Sequence, residues 1–272
     1  MTSTRFFAAV VALLIVLPLI AWQNLAGSVF VVAVTMMVCA GEYAEMAFPG
    51  NSRFPFYWLV AGNTALLAGT VSGRHELSLA AGAVVMMATM LRTTLAPPDP
   101  ISTAADQVGR MVLGLAWIGG LCPFVLVLRS WDHGFLWVIL VMVISFFGDT
   151  GAYFAGRQFG ATPLHPRVSP KKSWEGFWGG IVASTIGAVL VKATLLPELA
   201  LLDAVCLGAL GSAAGVCGDL SESLLKRSFD VKDSGWIMPG HGGMLDRIDS
   251  LLFVGPTVYA FLTLVGHLPP SA

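Results

Sequence analysis

The sequence predicts an all-α, polytopic integral membrane protein of about nine transmembrane helices, and three observations carry that prediction. Apolar residues make up 56% of the 272-residue chain and charged residues only 11%. A soluble domain carries about 25% charged residues, so this chain lacks the polar surface needed to face water. Mean hydropathy is +0.78. Finally, the apolar residues come in runs approaching the roughly 20 residues that cross a bilayer as a helix.

Taken in order, those runs place helices at about 6–22, 26–41, 56–71, 76–91, 109–129, 134–156, 174–194, 200–222 and 250–267. The first follows Arg5 but ends in Trp22-Gln23-Asn24 without a small-x-small cleavage site, so it is expected to be retained rather than removed as a signal. The third and fourth are the weakest, being short and punctuated by glycine. Ala96-Pro97-Pro98-Asp99-Pro100 stops the fourth, because proline cannot donate to a continuing helix. Trp22, Tyr57, Trp58, Trp131 and Trp137 fall near run ends, where interfacial aromatics belong. The chain divides into N-terminal helices over 1–107, about four, and a catalytic C-terminal region over 108–272, about five, within one membrane-embedded unit. The four cysteines, Cys39, Cys122, Cys206 and Cys217, lie inside apolar runs without metal-ligand spacing and read as packing residues.

With nine helices, one side of the membrane holds only Arg74, Arg129 and Lys192, and the other holds the remaining twelve of the fifteen basic residues. By the positive-inside rule the basic side is cytoplasmic. It includes the loops after helices six and eight, which share a side whatever the status of the weak helices.

Charge is concentrated in two stretches. The first, Asp219–Asp249, contains Asp219, Glu222, Lys226, Arg227, Asp230, Lys232, Asp233, Asp246, Arg247 and Asp249. The second, Asp149–Glu175, contains Asp149, Arg157, Arg167, Lys171, Lys172 and Glu175. Asp219 and Asp149 both fall inside expected spans. An ionised carboxylate there costs several kcal/mol, so it faces a watery cavity or a basic partner. Asp219, Ser223 and Lys226/Arg227 recur at i, i+4 and i+7/i+8, which aligns acid, hydroxyl and base on one helix face. Asp246 and Asp249, three apart, share a face at the start of the last helix. Three carboxylates beside lysine and arginine suit a divalent ion bound to phosphates, since Mg2+ takes one or two carboxylates and completes its shell with water and phosphate oxygens. Between the clusters, Pro239-Gly240-His241-Gly242-Gly243 offers backbone N–H groups to an anion. Lys171 and Lys172, flanked by Ser169 and Ser173 at a helix start, read either as interfacial anchors or as a phosphate site.

The run Ser223-Leu224-Leu225-Lys226-Arg227, Lys232-Asp233, Pro239-Gly240-His241-Gly242-Gly243 and Asp246-Arg247-Ile248-Asp249 resembles the signature of the phosphatidate cytidylyltransferases, also called CDP-diacylglycerol synthases. Gly148-Asp149-Thr150-Gly151-Ala152-Tyr153, Gly156-Arg157 and Ser169-Pro170-Lys171-Lys172-Ser173-Trp174-Glu175-Gly176 resemble that family's other shared stretch. The N-terminal half matches in hydropathy and at Glu42 after helix two, and Ala161–Arg167 departs from the pattern in carrying no lysine.

The resemblance implies transfer of CMP from CTP to phosphatidic acid, releasing pyrophosphate and giving CDP-diacylglycerol. It implies Mg2+, with a second cation alongside, a homodimer in the cell's inner membrane, and a site facing the cytoplasm. Asp219, Ser223, Lys226, Arg227 and Asp246 are the implied catalytic residues. Asp219, Asp246, Asp249 and Asp149 are the implied metal ligands. Lys171, Lys172, Ser173, Lys232, His241, Gly242, Gly243 and Arg247 are the implied nucleotide-binding residues. Nucleic acid is not an expected partner. Two other readings are weighed against this one: a CTP-dependent lipid-alcohol kinase of the polyprenol type, which needs a base at the acceptor hydroxyl, and a secondary transporter, which needs charges near the midplane of several spans.

Overall fold

A computed structural model describes residues 14, 16–22, 24–235 and 242–267. Helix dominates because no other open backbone arrangement satisfies its own N–H and C=O groups in hydrocarbon. In chain order the elements are α1 (Ala26–Ala47), α2 (Arg53–Val71), α3 (His75–Leu95), α4 (Ala104–Gly114), α5 (Phe124–Arg129), α6 (Gly134–Phe159), strands β1 (Pro163–His165) and β2 (Ser169–Ser173), then α7 (Trp174–Thr194), α8 (Leu201–Ser228) and α9 (Leu245–Leu264). Among the described residues seven helical stretches are long and apolar enough to cross a membrane: α1, Glu76–Leu95, Ile101–Arg129, α6, α7, α8 and α9. The chain is thus a multi-pass helical membrane protein. Helices two to nine of the sequence reading are all helical, with α2 outside the seven; the first, 6–22, lies largely outside the described residues.

Two findings depart from the expected pattern. The segment between α6 and α7, read as a loop, forms an antiparallel two-stranded hairpin pairing Pro163 with Ser173 and His165 with Ser169. Pro170 is tolerated because a two-stranded sheet consists only of edges, where a missing N–H faces outward. The fifth span is not one regular helix either. It opens with a 3-10 turn at Ile101–Thr103, and a π-helical turn, Leu115–Gly119, separates α4 from α5.

The chain folds as two compact units, residues 1–126 with 234–245, and residues 127–233 with 246–272. In the first, Tyr43 of α1 is fully buried; its hydroxyl donates to the Arg110 carbonyl (2.8 Å) and its ring meets Trp117 edge-on. Arg110 in turn donates to the Ala47 carbonyl at the end of α1 (2.7 Å), a cation on orphan C-terminal carbonyls. Trp58 of α2 donates to Thr89 of α3 (2.9 Å).

In the second unit, α6, α7, α8 and α9 surround a core of Leu140, Ile144, Ala188, Leu207, Val254 and Val258. Lipid is as apolar as leucine, so helices associate in membranes by close packing of small residues rather than by burying oil. Gly151 of α6 and Gly179 of α7 show this. A Cβ on Gly151 would lie 2.6 Å from the Gly179 carbonyl oxygen, and one on Gly179 would lie 2.2 Å from the Ala155 Cβ. Ser184 of α7 donates to the Ile144 carbonyl of α6 (2.6 Å), adding an interhelical hydrogen bond of about 0.6 kcal/mol.

Candidate active site

The charged residues of the second unit assemble from four elements. The β2 strand carries Lys172 to α8, where its Nζ lies 2.5 Å from Asp219 Oδ2. Asp219 Oδ1 accepts from Ser223 Oγ (3.3 Å), one turn further along. Asp219 is thus held in orientation by a cation on one oxygen and a hydroxyl on the other. The carboxylate of Asp249, on α9, lies within electrostatic reach of Asp219, Asp149 and Lys172. Asp149 on α6 reaches Asp219, Lys172 and Arg247 in the same way. Gly218 makes the approach of α8 to α9 possible, since a Cβ there would fall 2.4 Å from the Asp249 carbonyl oxygen. A shallow cavity beside Asp149 is lined by Ser145, Ser212, Gly215 and Ser250.

A second cluster lies on the same two helices. Lys226 Nζ sits 2.9 Å from Glu222 Oε2 and 2.5 Å from Asp246 Oδ1. Here the side chains are nearly closed to solvent: 13% exposed for Lys226, 9% for Asp246 and 1% for Glu222, against 24% and 32% for Lys172 and Asp219. The column of Asp219, Ser223 and Lys226/Arg227 that helical spacing predicts therefore divides. Asp219 and Ser223 join Lys172, Lys226 joins Glu222 and Asp246, and Arg227 is exposed. Glu222 was not among the expected site residues, although its position four before Lys226 signals an intrahelical pair. Its Oε1 is buried and accepts no hydrogen bond among the described residues.

Ser173 is the N-cap of α7, its hydroxyl accepting from Gly176 N (3.1 Å). Glu175 holds the start of the hairpin, accepting from the backbone N–H of Ala161 and Thr162 (3.2 Å each). Lys171, Lys232 and Arg247 are exposed. Gly242 has φ +79°, the left-handed region glycine favours, and Gly243 is buried. Pro239, Gly240 and His241 lie outside the described residues.

Among the described residues no group of three or more His, Cys, Asp or Glu side chains stands in position to hold an ion by itself. Mg2+ does not require one, because one or two carboxylates plus phosphate oxygens suffice. Asp219 and Asp246 each hold a lysine ammonium at 2.5 Å, so both already stabilise positive charge, and Asp249 and Asp149 add hard oxygen donors. The residues fit the ion.

A many-pass helical protein carrying acid–lysine clusters on two converging helices is, by class, a membrane protein with a site for a charged ligand. Comparison with known proteins makes the class specific. The model of the cytidylyltransferase family matches residues 3–265. The chain is 40% identical over 160 residues to the phosphatidate cytidylyltransferase of Bacillus subtilis, covering 58% of this chain and 60% of that one. It is 36% identical over 217 residues to the phosphatidate cytidylyltransferase of Pseudomonas aeruginosa, covering 76% and 78%. It is 42% identical over 132 residues to phosphatidate cytidylyltransferase 5, chloroplastic, of Arabidopsis thaliana, covering 47% and 33%. The chain thus spans less than two thirds of the Bacillus and Arabidopsis relatives and more than three quarters of the Pseudomonas one. The chain belongs to the cytidylyltransferase family.

Proposed function

We propose that this protein transfers CMP from CTP to phosphatidic acid, giving CDP-diacylglycerol and pyrophosphate. The observation that carries the reading is the pair of lysines, Lys172 and Lys226, each held by a carboxylate on converging helices. A triphosphate offers both ammoniums stronger partners, because charge-assisted contacts to phosphate are short and strong. The carboxylates they release, Asp219 and Asp246, together with Asp249 and Asp149 beside Asp219, would hold Mg2+ and a second cation. Bound there, Mg2+ would neutralise the triphosphate and ease departure of pyrophosphate.

The acceptor needs no general base. A phosphate monoester has a second pKa of about 6, so phosphatidate is largely dianionic at pH 7. One of its oxygens attacks the α-phosphorus of CTP, a new P–O–P bond forms, and the bond from the α-phosphorus to the bridging oxygen breaks. Pyrophosphate takes both electrons of that bond. The protein's own part is alignment and charge neutralisation, as in phosphoryl transfer generally. Ser223 keeps Asp219 in orientation, and Lys172, Lys226, Lys232 and Arg247 supply positive charge for the phosphates. Lys171, Ser173, Arg227, His241, Gly242 and Gly243 complete the nucleotide's surroundings.

The site faces the cytoplasm of the inner membrane, where CTP is available; twelve of the fifteen basic residues supporting that orientation lie on one side in the nine-helix arrangement. The assembly is a homodimer, as the resemblance implies. Incubating the purified chain in detergent with phosphatidic acid, Mg2+ and CTP labelled at the α- or γ-phosphate tests the reading. Label from the α-phosphate should enter the lipid. Lipid labelled only from the γ-phosphate would instead establish a kinase, and no lipid labelling with CTP-independent flux in proteoliposomes would establish a transporter.

A further inference from the structure

Glu42 sits in the interior of α1, not after it, and its side chain is buried (3% exposed). A carboxylate in that position must be satisfied, and the partners come from two hundred residues away. Oε1 accepts from Met244 N (2.7 Å), and Oε2 accepts from Leu245 N (2.9 Å) and Ser234 Oγ (3.5 Å). Leu245 is the first residue of α9. The N–H groups at a helix start have no partner within the helix and carry the positive end of its dipole, and a carboxylate is their best complement. That partner usually comes from a local Ser, Thr, Asp or Asn. Here it comes from a different helix.

The surrounding glycines show that the fit is specific. A Cβ on Gly235 would meet Glu42 Oε1 at 2.7 Å, and one on Gly243 would meet Oε2 at 2.6 Å and Ser234 Oγ at 2.2 Å. Glu42 therefore holds residues on both sides of 236–241, and it holds the residue immediately before Asp246. Resting on the CMP-transfer reading, we propose that Glu42 is a positioning residue for catalysis: it caps α9 and thereby sets the placement of Asp246. It does not itself touch substrate.

The test uses the full chain in detergent and compares Glu42→Gln, Glu42→Asp and Gly243→Ala with the wild type. Glu42→Gln keeps the shape but turns an N–H2 group toward backbone donors. Gly243→Ala disturbs the same contact from the opposite side. In both, kcat should fall and the Mg2+ concentration for half-maximal activity should rise, each by about 10–100-fold, as for residues that orient a ligand-bearing group. KM for CTP should move much less in Glu42→Gln, which alters no residue of the nucleotide's surroundings. Glu42→Asp, which keeps the charge, should recover part of the loss. Hydrogen exchange at Met244 and Leu245 should quicken in Glu42→Gln. An unchanged Mg2+ requirement and wild-type kcat per folded molecule in both Glu42→Gln and Gly243→Ala would overturn the proposal, as would unaltered exchange at those two amides. A wild-type chain that fails to transfer label would sink the CMP-transfer reading instead, while the exchange measurement still reports on the cap.

Discussion

The two lysine–carboxylate clusters on α8 and α9 use the same chemistry in different surroundings. Lys172 and Asp219 keep roughly a quarter to a third of their side-chain surface, whereas Lys226, Asp246 and Glu222 keep little or none. An exposed ion pair is worth about 0–1 kcal/mol because water and salt compete for both partners, so it exchanges partners readily. In a buried group the charges have already lost their water, and removing one partner strands the other at about 3–5 kcal/mol. The first cluster is therefore suited to opening when a nucleotide arrives. The second gives up its lysine only where a stronger anion takes the carboxylate's place, so structure and function are coupled in the same side chains.

The largest expected effects test whether both clusters serve the reaction. Asp219→Asn and Asp246→Asn should each lower CMP transfer at saturating Mg2+ by about a hundredfold or more, the scale for losing an electrostatic group at the reacting centre. Both proteins should still insert and remain monodisperse in detergent. Near-normal turnover in either variant would remove that residue from the proposed metal site.

Lys226→Met should lose activity and stability together, because it removes the ammonium that lies between the buried carboxylates of Glu222 and Asp246; its thermal midpoint should fall by several degrees, consistent with about 3–5 kcal/mol. A normal melting curve would mean that the buried cluster is not under the constraint its burial implies. Glu222→Gln removes a buried charge while keeping volume and leaves Asp246 to pair with Lys226. Turnover should drop by about tenfold or less, the lower end for a residue that orients a functional group, with thermal stability close to wild type. A loss as large as that of Asp246→Asn would promote Glu222 from orienting Lys226 to acting on the ligand directly.

The smallest structural effect belongs to Lys172→Ala. Loss of one partly exposed pair should leave the melting temperature within a few degrees, since such a pair contributes about 1 kcal/mol. KM for CTP should rise by about tenfold, the scale of one hydrogen bond to a charged group. An unchanged KM would return Lys172 and its neighbour Lys171 to anchoring the hairpin at the membrane surface.

How much of this could be read in advance depends on which physical signal each feature leaves in the chain. Trp174–Thr194 begins and ends where the apolar run does, because Ser173 caps its start and Pro197 follows its end. By contrast α8 continues to Ser228, beyond the expected end at 222, and α9 begins at Leu245 rather than 250. Hydropathy marks where lipid contact stops, and a helix does not stop there if its polar end is packed and paired. The hairpin at 163–173 left little signal, because a five-residue strand containing Pro170 and two lysines has no apolar alternation. In the charged clusters, spacing and charge in an apolar chain single out Asp219, Ser223, Asp246 and Asp249. The assignment of Lys226 to Asp246, and of Lys172 to Asp219, was not, since i+7 spacing allows Lys226 to face either acid.

The sequence by itself determined that this is a many-helix membrane protein, where its charge gathers, and which acids and bases belong to the gathering. Composition and periodicity are local properties, and a bilayer punishes stray charge severely enough to make each survivor visible. Only the tertiary structure decided how those charges pair, that Glu222 closes one cluster, and that Glu42 caps a helix two hundred residues further on. Those facts depend on distances between separate helices, and such distances are set by glycine contacts such as Gly151 with Gly179 and Gly218 with Asp249, which no one-dimensional pattern records.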